Sequence, residues 1–100
     1  GISVTPASLF MGVLKPGQKV TKQLVVRGKK PFRILSVTCN ENGDCFLFDP
    51  STETAPKPLH LIPVTFVAGQ EVGKVLKTIR IETDLDEASP ELSAYAVVAP

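Results

Sequence analysis

Two cysteines close together in the sequence have the clearest chemical potential. Cys39 and Cys45 are the only cysteines, and residues 40–44 between them (NENGD) are all turn-forming. A turn would bring the two sulfurs together, so we predict a disulfide that stabilises the fold by about 2 kcal/mol. Such a bond indicates an oxidising compartment, and we therefore expect a periplasmic or extracellular protein. Two reduced thiols in a cytoplasmic protein are the alternative.

Other candidate chemistry is weaker. His60 is the sole histidine, and with two cysteines it supplies only three of the four ligands of a structural zinc site. Glu41, Asp44 and Asp49 lack the alternating spacing and terminal Glu of a calcium loop. No nucleophile can be paired with His60 by a known motif, and no phosphate-binding motif is present. We therefore expect no enzyme activity, cofactor or metal ion, and assign His60 a packing or surface role near solvent.

Charge is distributed unevenly along the chain. Residues 1–40 contain seven basic side chains and no acidic one, whereas residues 41–100 contain four basic and ten acidic side chains. The basic cluster consists of Arg27, Lys29, Lys30 and Arg33. We consider it a candidate docking site for an acidic partner, or simply surface complementarity worth roughly 0–1 kcal/mol per ion pair. The net charge of +1 argues against a nucleic-acid partner.

Apolar residues alternate with polar ones, which is typical of strands that bury one face. Gly, Pro, Asn and Asp interrupt these runs at the short intervals typical of a sandwich. We predict strands over residues 2–5 resuming at 8–14 after Pro6, and over 19–27, 32–39, 45–48, 59–67, 74–83 and 92–99. The prediction is an all-β, seven-stranded immunoglobulin-like β-sandwich forming a single domain over residues 1–100.

The five phenylalanines (Phe10, Phe32, Phe46, Phe48 and Phe66) are predicted to lie in the core. Phe46 and Phe48 form a Phe-x-Phe strand, which near a sheet edge could template a partner strand. The first strand, broken at Pro6, is also predicted to be an edge. Because proline cannot donate to a ladder, the strand that contains Pro63 is predicted to be an edge or to carry a bulge at that residue.

Three segments together resemble a known group of domains. Residues 9–18 (LFMGVLKPGQ) form a strand and a Pro-Gly turn, residues 20–26 (VTKQLVV) an alternating strand, and residues 28–34 (GKKPFRI) a turn and the next strand. This order resembles bacterial immunoglobulin-like domains of unknown function, related to Hydin-like (ASH) and major-sperm-protein/PapD-like sandwiches. The resemblance implies a sandwich module of an envelope or scaffold protein, with no catalytic residue.

We expect a non-enzymatic structural or interaction module of a larger bacterial envelope or secreted protein. Gly1 in place of an initiator Met, and Pro100 after a strand-like run, favour a domain excised from a longer chain. Its expected partners are a protein or peptide and the other domains of that chain. No apolar run approaches the ~20 residues of a membrane span. The alternative is a peptide-binding or chaperone-like domain that adds a strand at an edge.

Overall fold

The computed structural model describes residues 1–39, the backbone of 46–48, and residues 55–85 and 89–100. These residues form strands β1 (Ser3–Thr5), β2 (Ser8–Leu14), β3 (Lys19–Phe32), β4 (Ile34–Cys39), β5 (Phe46–Phe48), β6 (Lys57–Val67), β7 (Gly73–Thr83) and β8 (Glu91–Val98). The all-β prediction is confirmed. Because β1 and β2 are the two halves of the first predicted strand, the seven-stranded sandwich is confirmed as well.

The strands form two four-stranded sheets, with the order β1-β3-β6-β5 in sheet A and β2-β8-β7-β4 in sheet B. The first predicted strand contributes to both. β1 pairs antiparallel with β3, and after Pro6 the chain continues as β2, parallel to β8. Proline has no N–H to donate, so a ladder ends naturally at this position. The first strand therefore forms an edge of each sheet, as predicted.

The core lies between the sheets, where alternate residues of the facing strands are buried. Its largest fully buried side chains are Phe32, Phe66, Met11, Leu24, Ile79, Ile81, Val26, Val64 and Val98. Complete burial of one such side chain contributes roughly 1.5–3 kcal/mol. The prediction that Phe32 and Phe66 belong to the core is confirmed.

A bulge in β2 depends on Gly12. The register of β2 against β8 shifts between Phe10 and Gly12, and Gly12 has a φ of 116°. This region of φ is unfavourable for residues with a Cβ, so glycine is required. The bulge shifts the alternation by one residue, which lets Met11 and Leu14 both face the core.

Two details differ from the prediction. β6 contains Pro63 but is an inner strand, because β5 covers the side that was expected to be an edge. β5 reaches only Val64 to Phe66, so Pro63 lies just beyond its end. β3 continues to Phe32 through a register shift, where a turn over residues 27–31 was expected. Here a bulge, and not a turn, accommodates the glycine and proline.

Candidate interaction surface

The basic cluster lies at the end of the sandwich where β3 meets β4. Arg27, Lys29, Lys30 and Arg33 are all exposed. The backbone N–H of Arg33 donates to Asp84 Oδ1 at 2.8 Å, and the Asp84 N–H donates to the Arg33 carbonyl at 3.1 Å. The topology therefore brings Arg33, at one end of the cluster, to Asp84 after β7. These contacts use the Arg33 backbone and leave the docking role of the basic side chains a prediction.

Cys39 ends β4, where it pairs with Ile79 and is half-buried. It is a free cysteine in this structure. Cys45 lies outside the described residues, as do Glu41, Asp44 and Asp49. The structure thus lends no support to the disulfide, which stays a prediction. Within the described ranges, no three His, Cys, Asp or Glu side chains lie close enough together to hold a metal ion.

The Phe-x-Phe strand is the terminal strand of sheet A, so its predicted edge position is confirmed. In the register of β5 and β6, Phe46 pairs with Phe66 and Phe48 with Val64. The proposal that this strand templates a partner stays a prediction.

His60 is buried, with only 4% of its surface exposed, so of its two predicted roles the packing role is confirmed and the position near solvent is wrong. Its Nε2 lies 2.6 Å from the Phe32 carbonyl oxygen, and its ring centroid is 4.5 Å from that of Phe32. A carbonyl can only accept, so Nε2 carries the proton and donates. His60 alternates with buried Ile62 and Val64 on the same strand, and this parity was the sequence signal for its burial.

The outer face of sheet B carries a continuous apolar surface. Phe10 and Leu76 both pair with Tyr95, from opposite sides of β8, and Val13 pairs with Val97 in the next row. The aromatic face, as we call it, consists of Phe10, Val13, Leu76, Tyr95 and Val97. Phe10, Val13 and Leu76 are 39%, 65% and 58% exposed. The prediction that Phe10 lies in the core is therefore wrong.

Two aromatic rings organise this face. The rings of Phe10 and Tyr95 are stacked, with centroids 4.9 Å apart and planes inclined at 30°. The Nζ of Lys74 lies 5.7 Å from the centroid of Tyr95, within the range of a cation–π interaction. The Nζ of Lys22 donates to the Phe10 carbonyl at 2.9 Å. The aromatic pair thus has the Lys74 ammonium group beside the Tyr95 ring, whereas Lys22 contacts only the backbone of Phe10.

Polar rows bound the aromatic face in the other direction. Ser93 pairs with both Ser8 and Thr78, and Arg80 pairs with Glu91 one row further on. Arg80 Nε also lies 3.8 Å from Glu82 Oε1. The acidic groups of these strands therefore lie at least two rows away from Tyr95, beside an arginine. Lys74 therefore lies closer to the aromatic pair than these acidic groups do.

Edge strands of the described sheets carry features that hinder the addition of another strand. β1 and β5 have three residues each. β2 is bulged at Gly12, and the carbonyl of Phe10 already accepts a hydrogen bond from Lys22 Nζ. Lys22 has the same parity as the core residues of β3, so it is a charged side chain directed between the sheets at an open edge.

No protein-family model matches the sequence, and no curated protein matches it significantly. Several solved structures share the fold. A Bacteroides ovatus GH5 xyloglucanase, solved with an XXXG heptasaccharide, aligns at TM-score 0.66 and 7% identity over 99% of this chain. The ASH/PapD-like domain 7 of human CEP192 aligns at TM-score 0.64 and 11% identity, over 98% of this chain and 84% of that domain.

A family 123 glycoside hydrolase from Clostridium perfringens aligns at TM-score 0.61 and 14% identity over 99% of this chain. This chain spans only 19% of the xyloglucanase and 27% of the family 123 enzyme. At these identities the likeness is one of fold. The chain has the architecture of the PapD-like (ASH) sandwiches, which agrees with that part of the resemblance found in its sequence. The described residues include no helix that is long and apolar enough to cross a membrane.

Proposed function

We propose that this chain is a non-enzymatic interaction module of a larger bacterial envelope or secreted protein, and that it contacts its partner through the aromatic face. The observation that carries the proposal is the pair of contiguous apolar rows on the outside of sheet B. Aromatic residues are enriched at the centres of interaction sites between proteins, and here two of them lie side by side on the outside of a sheet.

The likeness to parts of longer bacterial proteins supports a modular role. In the xyloglucanase and the family 123 enzyme, a domain of this shape is a minor part of the chain. The position of the sole histidine supports a non-enzymatic role, because Nε2 of His60 is committed to the Phe32 carbonyl inside the core. A general base needs access to a substrate proton, and this nitrogen has none.

The proposal is tested by measuring which proteins of the source organism are retained by the immobilised chain. Leu76→Ser removes an apolar group from the aromatic face, and Leu61→Ser removes one of similar exposure, 49%, from the outside of sheet A. We expect a partner that the native chain and Leu61→Ser retain equally and that Leu76→Ser loses. Failure to retain any partner, or equal loss with both variants, would contradict the proposal.

The location of the module is tested through its cysteines. In an oxidising compartment Cys39 and Cys45 would form a disulfide, so protein taken from cells under denaturing conditions would gain no alkyl groups before reduction and two after it. Uptake of two alkyl groups without reductant would reject both the bond and the support it gives to an envelope or secreted location.

A peptide-binding or chaperone-like role through strand addition is the second candidate. The Phe-x-Phe sequence of β5 at the edge of sheet A favours it, whereas the bulge and Lys22 disfavour it at β2. Leu47→Pro would remove one backbone donor from β5, and strand addition there predicts the loss of peptide binding. Unchanged binding by a folded Leu47→Pro variant would exclude this edge.

A further inference from the structure

We propose that the occupant of the aromatic face is a short peptide segment of a partner protein that combines large apolar side chains with aspartate or glutamate. This inference rests on the proposed function and specifies the chemistry of its partner. Two observations carry it: the charge at the border of the face and the size of the face.

Charge selects an acidic partner. Lys74 lies over the ring of Tyr95, which stacks on the ring of Phe10, so an ammonium group stands at the border of the aromatic pair. Glu82 and Glu91, the acidic residues of these strands, lie beyond the Ser8–Ser93 row and beside Arg80. Glu71 precedes β7 in the turn after β6, and is exposed. A ligand carboxylate can therefore approach Lys74 while its apolar neighbour covers Tyr95, since opposite potentials favour the encounter and fix the orientation.

Size selects a short segment. The row of Phe10, Tyr95 and Leu76 crosses three strands, and the Val13–Val97 row, two residues further on, ends at Lys74. Together the rows span about 10 Å by 7 Å between backbone positions. With side chains included, the area is on the order of 200 Å². A stable interface between two proteins buries about 800 Å² on each partner. Two or three anchoring side chains of a peptide match the face, whereas a second copy of this chain would bring Lys74 close to Lys74 over too small an area.

Tyr95 itself provides the measurement. It is the sole tyrosine and the chain has no tryptophan, so intrinsic fluorescence reports directly on the aromatic face. Random 12-residue peptides are selected by display on the immobilised chain, with counter-selection on a Leu76→Ser/Lys74→Glu variant. Selected peptides without tyrosine or tryptophan are then titrated while Tyr95 emission is followed. We expect peptides with net negative charge and at least two large apolar residues, and binding that weakens as salt is raised.

Matched variants separate charge from apolar contact. Lys74→Glu should weaken binding about fivefold to tenfold, whereas Lys19→Glu, at an exposed lysine of sheet A, should change it less than about twofold. Leu76→Ser should weaken it about tenfold, and Leu61→Ser should leave it unchanged. Far-ultraviolet circular dichroism of each variant establishes that the sheets are intact.

Four outcomes would overturn the inference: no enrichment of any peptide, selected peptides without an acidic bias, equal binding to native chain and Lys74→Glu, or a Tyr95 response only to vesicles of phosphatidylcholine with 30% phosphatidylserine. Self-association of the native chain in sedimentation, lost in Leu76→Ser, would likewise replace the peptide by a second copy. A cellular partner that is lost on Leu76→Ser but indifferent to Lys74→Glu would preserve the interaction module while refuting its acidic ligand.

Discussion

Two aromatic pairs with similar distances between their ring centroids occupy opposite environments in this molecule, one tilted at 56° and the other stacked at 30°. Phe32 and His60 lie 4.5 Å apart inside the sandwich, and Phe10 and Tyr95 lie 4.9 Å apart on its outside. In the buried pair, Nε2 of His60 is hydrogen-bonded and the Phe32 ring is fully covered. In the outer pair, Phe10 is 39% exposed and its neighbours on the sheet are also apolar.

The difference shows that ring contact alone does not separate a structural aromatic pair from one that is available to a partner. The buried pair is surrounded by groups that complete it: Gly28 leaves room for the Phe32 ring, and the Phe32 carbonyl accepts the His60 proton. The outer pair is covered on one side only, where it contacts Lys74 and the sheet beneath it. A partner would supply the other side, as it does for aromatic residues at interface centres.

Phe32→Ala should have the largest effect on stability. It removes a fully buried ring next to His60 and leaves a cavity, which should lower the free energy of unfolding by about 3–5 kcal/mol. Urea unfolding followed by Tyr95 fluorescence measures the loss. A reduction below about 1 kcal/mol would show that the buried pair is not a structural centre, and would remove the contrast with the outer pair.

His60→Leu tests the hydrogen bond of the buried pair. The substitution puts an apolar side chain of similar size in place of the imidazole and removes the donor to the Phe32 carbonyl, so we expect a loss of about 1–3 kcal/mol. His60→Gln keeps an N–H donor on a side chain of similar length and serves as the matched control. Equal stability of the Leu and native proteins in urea titrations would show that the hydrogen bond contributes nothing.

Gly28→Ala tests the space around the same ring. A Cβ at Gly28 would lie 3.0 Å from both Cδ1 and Cε1 of Phe32, closer than carbon atoms normally approach, and the packed ring has little room to move. Overpacking of this kind costs roughly 1–3 kcal/mol, partly offset by the lower entropy of the unfolded alanine chain.

At Gly69 an added Cβ meets nothing within 4 Å, so Gly69→Ala provides the steric control. We expect it to match or slightly exceed the native stability in thermal unfolding, while Gly28→Ala falls about 1 kcal/mol below it. Equal midpoints for the two variants would contradict the close packing of Gly28 on Phe32.

The buried pair and the outer pair also differ in how far the sequence could predict them. Alternation correctly predicted the sandwich and the burial of Phe32 and Phe66. Alternation also gave His60 the same parity as buried Ile62 and Val64 on its own strand. We nevertheless expected the start of that strand to be exposed to solvent. The partner of His60, the Phe32 carbonyl, could not be predicted, because it comes from another strand and depends on the register shift in β3.

The position of Phe10 could not be derived from alternation, because residues 9–14 are apolar throughout and both parities fit a core. The bulge at Gly12 decides which residues point inward, and its φ of 116° is the reason for the glycine. The basic residues at 27–33 resembled a turn because bulges and turns use the same residue types. Only the pairing of β3 with β6 separates the two.

Phe10→Ala should affect stability far less than Phe32→Ala, although both remove a phenylalanine ring from an aromatic pair. The stacking on Tyr95 is worth about 0.5–1.5 kcal/mol, and the partly exposed ring leaves no closed cavity. Circular dichroism in urea measures the change, because the substitution itself alters the environment of Tyr95. A loss comparable to that of Phe32→Ala would show that the outer pair holds sheet B together.

Leu76→Ser should have the smallest effect, within about 0.5 kcal/mol of the native free energy of unfolding, because Leu76 is 58% exposed. Leu61→Ser, at a leucine 49% exposed on the other sheet, should behave in the same way. If both leave stability unchanged and only Leu76→Ser abolishes partner retention, the apolar rows of sheet B serve binding and not folding. If Leu76→Ser alone destabilised the fold by more than about 1.5 kcal/mol, the row that joins Phe10, Tyr95 and Leu76 would be structural, and the two aromatic pairs would differ in exposure but not in role.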